Sequence, residues 1–151
     1  ISMAYAEDYS FSDFNSKLAQ NCNEKFMALL VLSEIWIYPI KSLGGIRLAS
    51  AKVMPKGLRY DRRWMLIDEA GRFITQRIHS KMAFFKLSLS DNQFTVNYKE
   101  DSIQFLANAR VSKNPVSATV WDDTVMVYEV LGKYSQWFSE RLGINCPAFT
   151  G

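Results

Sequence analysis

Ile37-Tyr38-Pro39-Ile40-Lys41-Ser42 decides the reading of this chain, together with Gly57-Leu58-Arg59-Tyr60-Asp61-Arg62 and Trp64-Met65-Leu66-Ile67-Asp68 downstream. Each stretch sets a short apolar run beside a turn that carries Lys, Ser or Arg. From Leu32 onward the apolar residues recur with period two, the spacing of strands. The first predicted strand is 33–40, and Pro39 confines it to an edge or a strand end because proline lacks the ladder donor. Gly44-Gly45 connects it tightly to a second strand, 46–54. Pro55-Lys56-Gly57 is a turn signal.

Further along, 64–68 and 72–76 read as a hairpin around Asp68-Glu69-Ala70-Gly71, with Gly71 suited to a left-handed position. Strands 86–90 and 93–98 flank Asp91-Asn92, and 102–106 follows. Strands 116–121 and 124–129 flank Asp122-Asp123. Near the end, Tyr134, Trp137, Phe138 and Leu142 recur at helical spacing, and Gly143 suits the position just past the helix. That aromatic stripe reads as core packing. Many short strands with frequent turns and one C-terminal helix make a mainly β fold, a barrel or a sandwich.

With 151 residues, 48% of them hydrophobic, the chain suits one domain with a real core. No run approaches the ~18 apolar residues of a membrane span. The most apolar run, 27–32, lacks the flanks of a signal peptide. Cys22 and Cys146 are remote in sequence, and His79 has no Cys or His nearby to build a zinc site. Reducing, cytoplasmic conditions are the default for such cysteine usage. Residues 1–26 are acidic and polar, with a weak helical pattern at Phe11, Phe14 and Leu18 that Ser12 would cap. They read as a leader that is poorly ordered, weakly helical or non-native.

The net charge of +3 hides an asymmetry. Residues 41–86 hold eleven Lys or Arg against three acids, whereas both flanking segments are net acidic. An anionic ligand explains such a concentration, and so does a solvated basic face. Lys41-Ser42 beside Gly44-Gly45 has the makings of an anion-binding nest with an added point charge and hydroxyl donor, or of an ordinary polar loop. Arg62 presents a planar fork that suits phosphate, or it pins its turn by pairing with Asp61. Arg63 is expected on the opposite face from Arg62. Arg77, at the end of the 72–76 segment, is a further anion contact or a surface residue. His79 reads as structural. No Ser/His/Asp order, metal cluster or paired acid site is recognisable, so no catalytic or metal-ligating residue is assigned.

Taken together, Ile37 to Ser42, Gly57-Leu58, Asp61-Arg62, Trp64 to Asp68, Gly71, Phe73 to Arg77, Val120-Trp121-Asp122-Asp123, Trp137-Phe138-Ser139 and Leu142-Gly143 resemble one module. It is the N-terminal β-barrel domain that precedes a MOSC domain (molybdenum cofactor sulfurase C-terminal type) in molybdenum-cofactor proteins such as the amidoxime-reducing enzymes. The resemblance covers roughly residues 30–148 and implies a small β-barrel of short, mostly antiparallel strands. It implies a domain at 27–148 and a linker starting at 149–151 toward a C-terminal MOSC domain that would supply the cysteine thiolate ligand. Cys146 does not match that ligand.

By the same resemblance, Lys41, Ser42 and Arg62 contact the pterin and phosphate of the molybdenum cofactor, and Arg77 is added as a further candidate. The whole enzyme would reduce N-hydroxylated compounds, fed by an electron-donor protein, and this half alone would not be catalytic. Sulfur transfer is the alternative enzyme class. A basic barrel that binds nucleic acid or a protein partner is the alternative outside enzymology.

Overall fold

The computed structural model describes residues 8–10, 31–144 and 148–151. The helical pattern expected around Phe11, Phe14 and Leu18, and both cysteines, lie outside the described residues. The chain divides into two compact units, Ile1–Ile37 with Arg47–Asp61, and Tyr38–Ile46 with Arg62–Gly151. Their described residues are mainly short antiparallel strands with one helix near the C-terminus, as the sequence pattern predicts.

In the first unit, β1 (Asp8–Ser10) pairs antiparallel with β4 (Ser50–Met54), which pairs in turn with β5 (Gly57–Leu58). β1 falls inside the segment expected to be a leader, and three residues are too few to leave a period-two signal. β2 (Ile35–Ile37) alternates buried, exposed, buried, and pairs with β3 (Ile46–Leu48). The single strand expected over 46–54 is thus two, broken at Ala49.

The second unit opens with β6 (Met65–Ile67), all three of whose residues are buried. β7 (Lys86–Ser90), β8 (Gln93–Tyr98) and β9 (Asp101–Leu106) form a three-stranded meander. Its first turn is Asp91-Asn92, with φ of 46° and 66°. Both residue types tolerate that left-handed region, so this hairpin follows its sequence signal closely. β10 (Val116–Val120) pairs with β11 (Asp123–Val127). Here the loop is Trp121-Asp122 rather than Asp122-Asp123, because Val120 pairs with Asp123. Trp121, expected as a strand residue, therefore sits at the hairpin tip.

Helix α1 (Tyr134–Leu142) ends at Gly143 with φ 72°. It buries Trp137, Phe138 and Leu142, the stripe expected to pack inward. Trp137 and Phe138 join Phe85, Phe94, Phe105 and Phe149 in an aromatic core of edge-on and tilted ring pairs 5.1–5.8 Å apart, with Phe94 and Phe105 stacked at 5.2 Å. β12 (Ala148–Thr150) pairs antiparallel with β6, and Phe149 is fully buried. The linker boundary expected at 148 thus falls within a strand. One buried apolar residue in a three-residue element is too weak a pattern to register from sequence.

Candidate functional site

Two segments of the second unit are stitched together by backbone hydrogen bonds. The amide of Arg62 donates to the Tyr38 carbonyl (2.9 Å), those of Arg63 and Trp64 donate to Pro39 (3.0 Å each), and that of Lys41 donates to Trp64 (2.9 Å). Pro39 has no N–H of its own, yet its buried carbonyl serves as a double acceptor. Between these bonds, Ile40 to Leu43 forms a tight turn in which the Leu43 amide donates to Ile40 (3.2 Å). Ser42 occupies the third position with φ 65°, the positive value that such a turn requires.

Of the two readings of Lys41 through Gly45, an anion nest or an ordinary polar loop, the backbone bonds favour the loop. The amides of Lys41, Leu43 and Gly44 are all committed to carbonyls, Gly44 to that of Phe85 at 3.1 Å. Gly44 is required there for a second reason, since a Cβ at this position would lie 2.7 Å from the Phe85 oxygen. Three of the turn's amides are thus held by carbonyls, which gives the side chains of Lys41 and Ser42 the larger share in any anion recognition there.

Those side chains converge. Lys41, Ser42 and Arg62 line one open cavity of about 510 Å³. Its walls include the aromatic residues Tyr38, Phe73 and Trp121, with Gln76 among the polar groups. Arg63 is not among its lining residues, so only one of the two adjacent arginines serves it. The cause is a turn rather than strand alternation, because Arg62 has φ 50°. Beneath the cavity, Val120 belongs to a buried apolar cluster with Met65, Ile67 and Ala118, against which Phe73 packs.

Cations and rings are paired around this region. The Lys41 ammonium lies 5.5 Å from the Phe73 ring centre, and the Arg62 guanidinium 5.8 Å from that of Tyr38. Arg77 stacks over Trp121 at 5.1 Å. Arg77 does not line the cavity of Lys41, Ser42 and Arg62. It lines a neighbouring one that shares Phe73 and Trp121 as walls.

The second arm of the expected 64–76 hairpin carries Phe73 to the site. It is held by single bridges, Ile67 to Phe73 and Arg72 to Thr119, rather than by a strand ladder. The hairpin turn is tied by Asp68. Its carboxylate accepts from the amides of Ala70 (3.0 Å) and Arg72 (2.8 Å) and from the Arg72 side chain (2.8 Å). Partial burial works against the charged carboxylate, but the Arg72 and Ala70 bonds outweigh it and hold the Asp68 pKa below its ordinary value. Gly71 at the tip has φ 73° and would place a Cβ 2.7 Å from the Ser117 carbonyl.

Trp121 is the site residue that sequence reasoning missed. It is 62% exposed and holds φ 57°, an outlying conformation for a bulky side chain. The available signal was an aromatic residue directly before Asp122-Asp123, which a one-residue shift of the turn brings to the tip.

The short antiparallel strands with one C-terminal helix suit a small β-barrel class, and residues 29–145 match the family described as the MOSC N-terminal beta barrel domain. The chain belongs to that family. It is 34% identical over 70 residues to the mouse (Mus musculus) mitochondrial amidoxime-reducing component 1, a match spanning 44% of this chain and 21% of that protein. Against the molybdenum cofactor sulfurase of Bombyx mori it is 28% identical over 130 residues, 77% of this chain and 15% of that protein. The sulfurase of Oryza sativa subsp. japonica is 26% identical over 133 residues, 85% of this chain and 16% of that protein. The chain thus matches about a fifth or less of the length of these relatives. The solution structure of a Bordetella bronchiseptica protein matches with a TM-score of 0.49 and 15% identity, covering 65% of this chain and 83% of that one.

Proposed function

We propose that this chain is the cofactor-supporting N-terminal domain of a molybdenum-cofactor protein of MOSC type, not catalytic by itself. The observation that carries this reading is the convergence of Lys41, Ser42 and Arg62 on one aromatic-walled cavity. The donor set fits an anionic, partly aromatic cofactor. Lys41 offers a compact positive charge, and no carboxylate among the described residues is paired with it. Arg62 offers a planar fork for phosphate oxygens, and Ser42 a hydroxyl donor. Tyr38, Phe73 and Trp121 offer ring faces and edges to a flat heterocycle.

In this role the chain's own side chains bind, orient and neutralise charge; the metal-centred chemistry belongs to the cofactor when bound. The cysteine thiolate that ligates the metal would come from a C-terminal MOSC domain. The whole protein would then reduce N-hydroxylated compounds with electrons from a donor protein, a reading supported by likeness to the amidoxime-reducing component. Sulfur transfer is the second reading, favoured by the fact that the sulfurase matches extend over more of this chain. Arg77 enters this scheme only as a neighbour across Trp121. A reducing, cytoplasmic setting accompanies the proposal on the strength of its cysteine usage, and cell fractionation tests it against the mitochondrial name of the mouse relative.

The test is cofactor retention in the native full-length protein. Lys41→Ala and Arg62→Ala are expected each to lower the molybdopterin retained after purification by about tenfold, the scale of one charge-assisted contact. Unfolding temperatures unchanged from the parent show that the loss is local. Retention equal to the parent in both variants would remove these residues from the cofactor's site. Reductase and sulfurase assays of the loaded protein then separate the two enzyme readings.

A further inference from the structure

We propose that the neighbouring cavity, about 690 Å³ in volume, is a second binding site, adjoining the first across the Phe73–Trp121 wall, for a small planar aromatic anion. Its volume lies within the ~300–1,000 Å³ of typical small-ligand sites. The apolar part is unusually open for such residues. Ile78 is 75% exposed, and Trp121 presents its ring at the hairpin tip in a conformation that bulky residues avoid. Phe73 lies edge-on to Trp121 at 6.2 Å, so the wall is a pair of aromatic surfaces.

Charge sets the sign of the ligand. The charged lining residues are Arg72 and Arg77 against a single acid, Asp68. Arg72 spends its guanidinium on Asp68, with contacts of 2.8 Å from both Nε and Nη2, and the other Asp68 oxygen is taken by two backbone amides. Arg77 remains as the uncompensated charge: among the described residues it has a ring partner and no carboxylate. A guanidinium resting on an indole face is pre-oriented to meet a carboxylate or phosphate whose ring system packs against the same indole. A neutral apolar ligand would leave Arg77 unanswered, and a simple inorganic anion would leave Trp121 and Ile78 exposed.

The experiment is calorimetric titration of the native protein with 2-naphthoate, its neutral isostere 2-naphthamide, cyclohexanecarboxylate and inorganic phosphate. Preference for 2-naphthoate over the other three is expected. Arg77→Gln should weaken 2-naphthoate about tenfold, the scale of one desolvated charge contact, and bring it level with the amide. Trp121→Gly should abolish binding while leaving the fold intact, because glycine accepts the left-handed backbone that tryptophan strains. Trp121→Phe should keep most of it. Lys41→Ala, on the other cavity, should leave 2-naphthoate affinity unchanged, which separates this site from the cofactor reading. Equal affinity for acid and amide, no effect of Arg77→Gln, or no binding at millimolar concentration would each overturn the proposal.

Discussion

At the scale of single residues, the site is built from backbone conformations that side-chain-bearing residues seldom adopt. Ser42, Arg62 and Trp121 all have positive φ, although none is glycine. Such residues persist only where surrounding bonds over-determine them, and the bonds linking 38–41 to 62–64 do so for Ser42 and Arg62. Gly44 shows how closely the turn is fitted. Gly44→Ala would drive its new Cβ into the Phe85 carbonyl and strain the hydrogen bond between the same two residues. A loss of about 1–3 kcal/mol is expected, as for other overpacked positions, measurable by denaturant unfolding. Glycine at 44 looked from sequence like part of an anion nest. Its actual reason is close approach to the residue just before a distant strand, which no local pattern reveals.

At the scale of elements, legibility followed turn chemistry. The Asp91-Asn92 hairpin was readable because both residues favour the conformation its turn needs. The β10–β11 hairpin misled by one residue, because two aspartates outrank a tryptophan as turn formers while the register obeys burial of Ala118 and Val120. Lys41, Ser42 and Arg62 were legible as a basic cluster beside turns. Their meeting in one cavity, and the separation of Arg77 from it, depend on pairings between segments far apart in the chain.

The C-terminal helix was readable from its aromatic spacing, but its tether was not. Asp101, at the start of β9, accepts from the Trp137 indole (3.2 Å) and from Arg141, two residues one turn apart on α1. The Arg141 bond, foremost, and then the Ser102 amide and Trp137 hold the Asp101 pKa below its ordinary value in spite of some desolvation. A depressed carboxylate pKa adds stability that is complete above the unfolded value of about 4 and is lost as pH falls through the folded value. Asp101→Asn should therefore lower the unfolding temperature at neutral pH, with the gap from the parent closing below about pH 4. A gap of constant size down to pH 2 would show that the tether acts through packing and not through charge.

At the scale of the whole molecule, the helix and the last strand lock the aromatic core of the second unit. Phe149 touches Phe105, Tyr134 and Phe138, and is fully buried. Phe149→Ala should cost about 3–5 kcal/mol, the range for deleting a buried ring, read out by denaturant or thermal unfolding. The loss should extend to β6, its strand partner, and through β6 to the turn at Lys41, whose amide is bonded to Trp64. Cofactor retention is therefore expected to fall with stability in this variant, unlike in Lys41→Ala.

The bond from the Thr150 hydroxyl to the Met65 carbonyl spans 85 positions of sequence. Bringing such distant partners together incurs loop-closure entropy before any contact compensates it, so the unit is expected to fold slowly for its size. The segment 62–67 that carries the site is therefore not set until the last strand arrives. Ligand competence should appear in a single late kinetic step, coincident with burial of Trp64 and Trp137, leaving no long-lived intermediate with a half-built cavity exposed to unwanted partners.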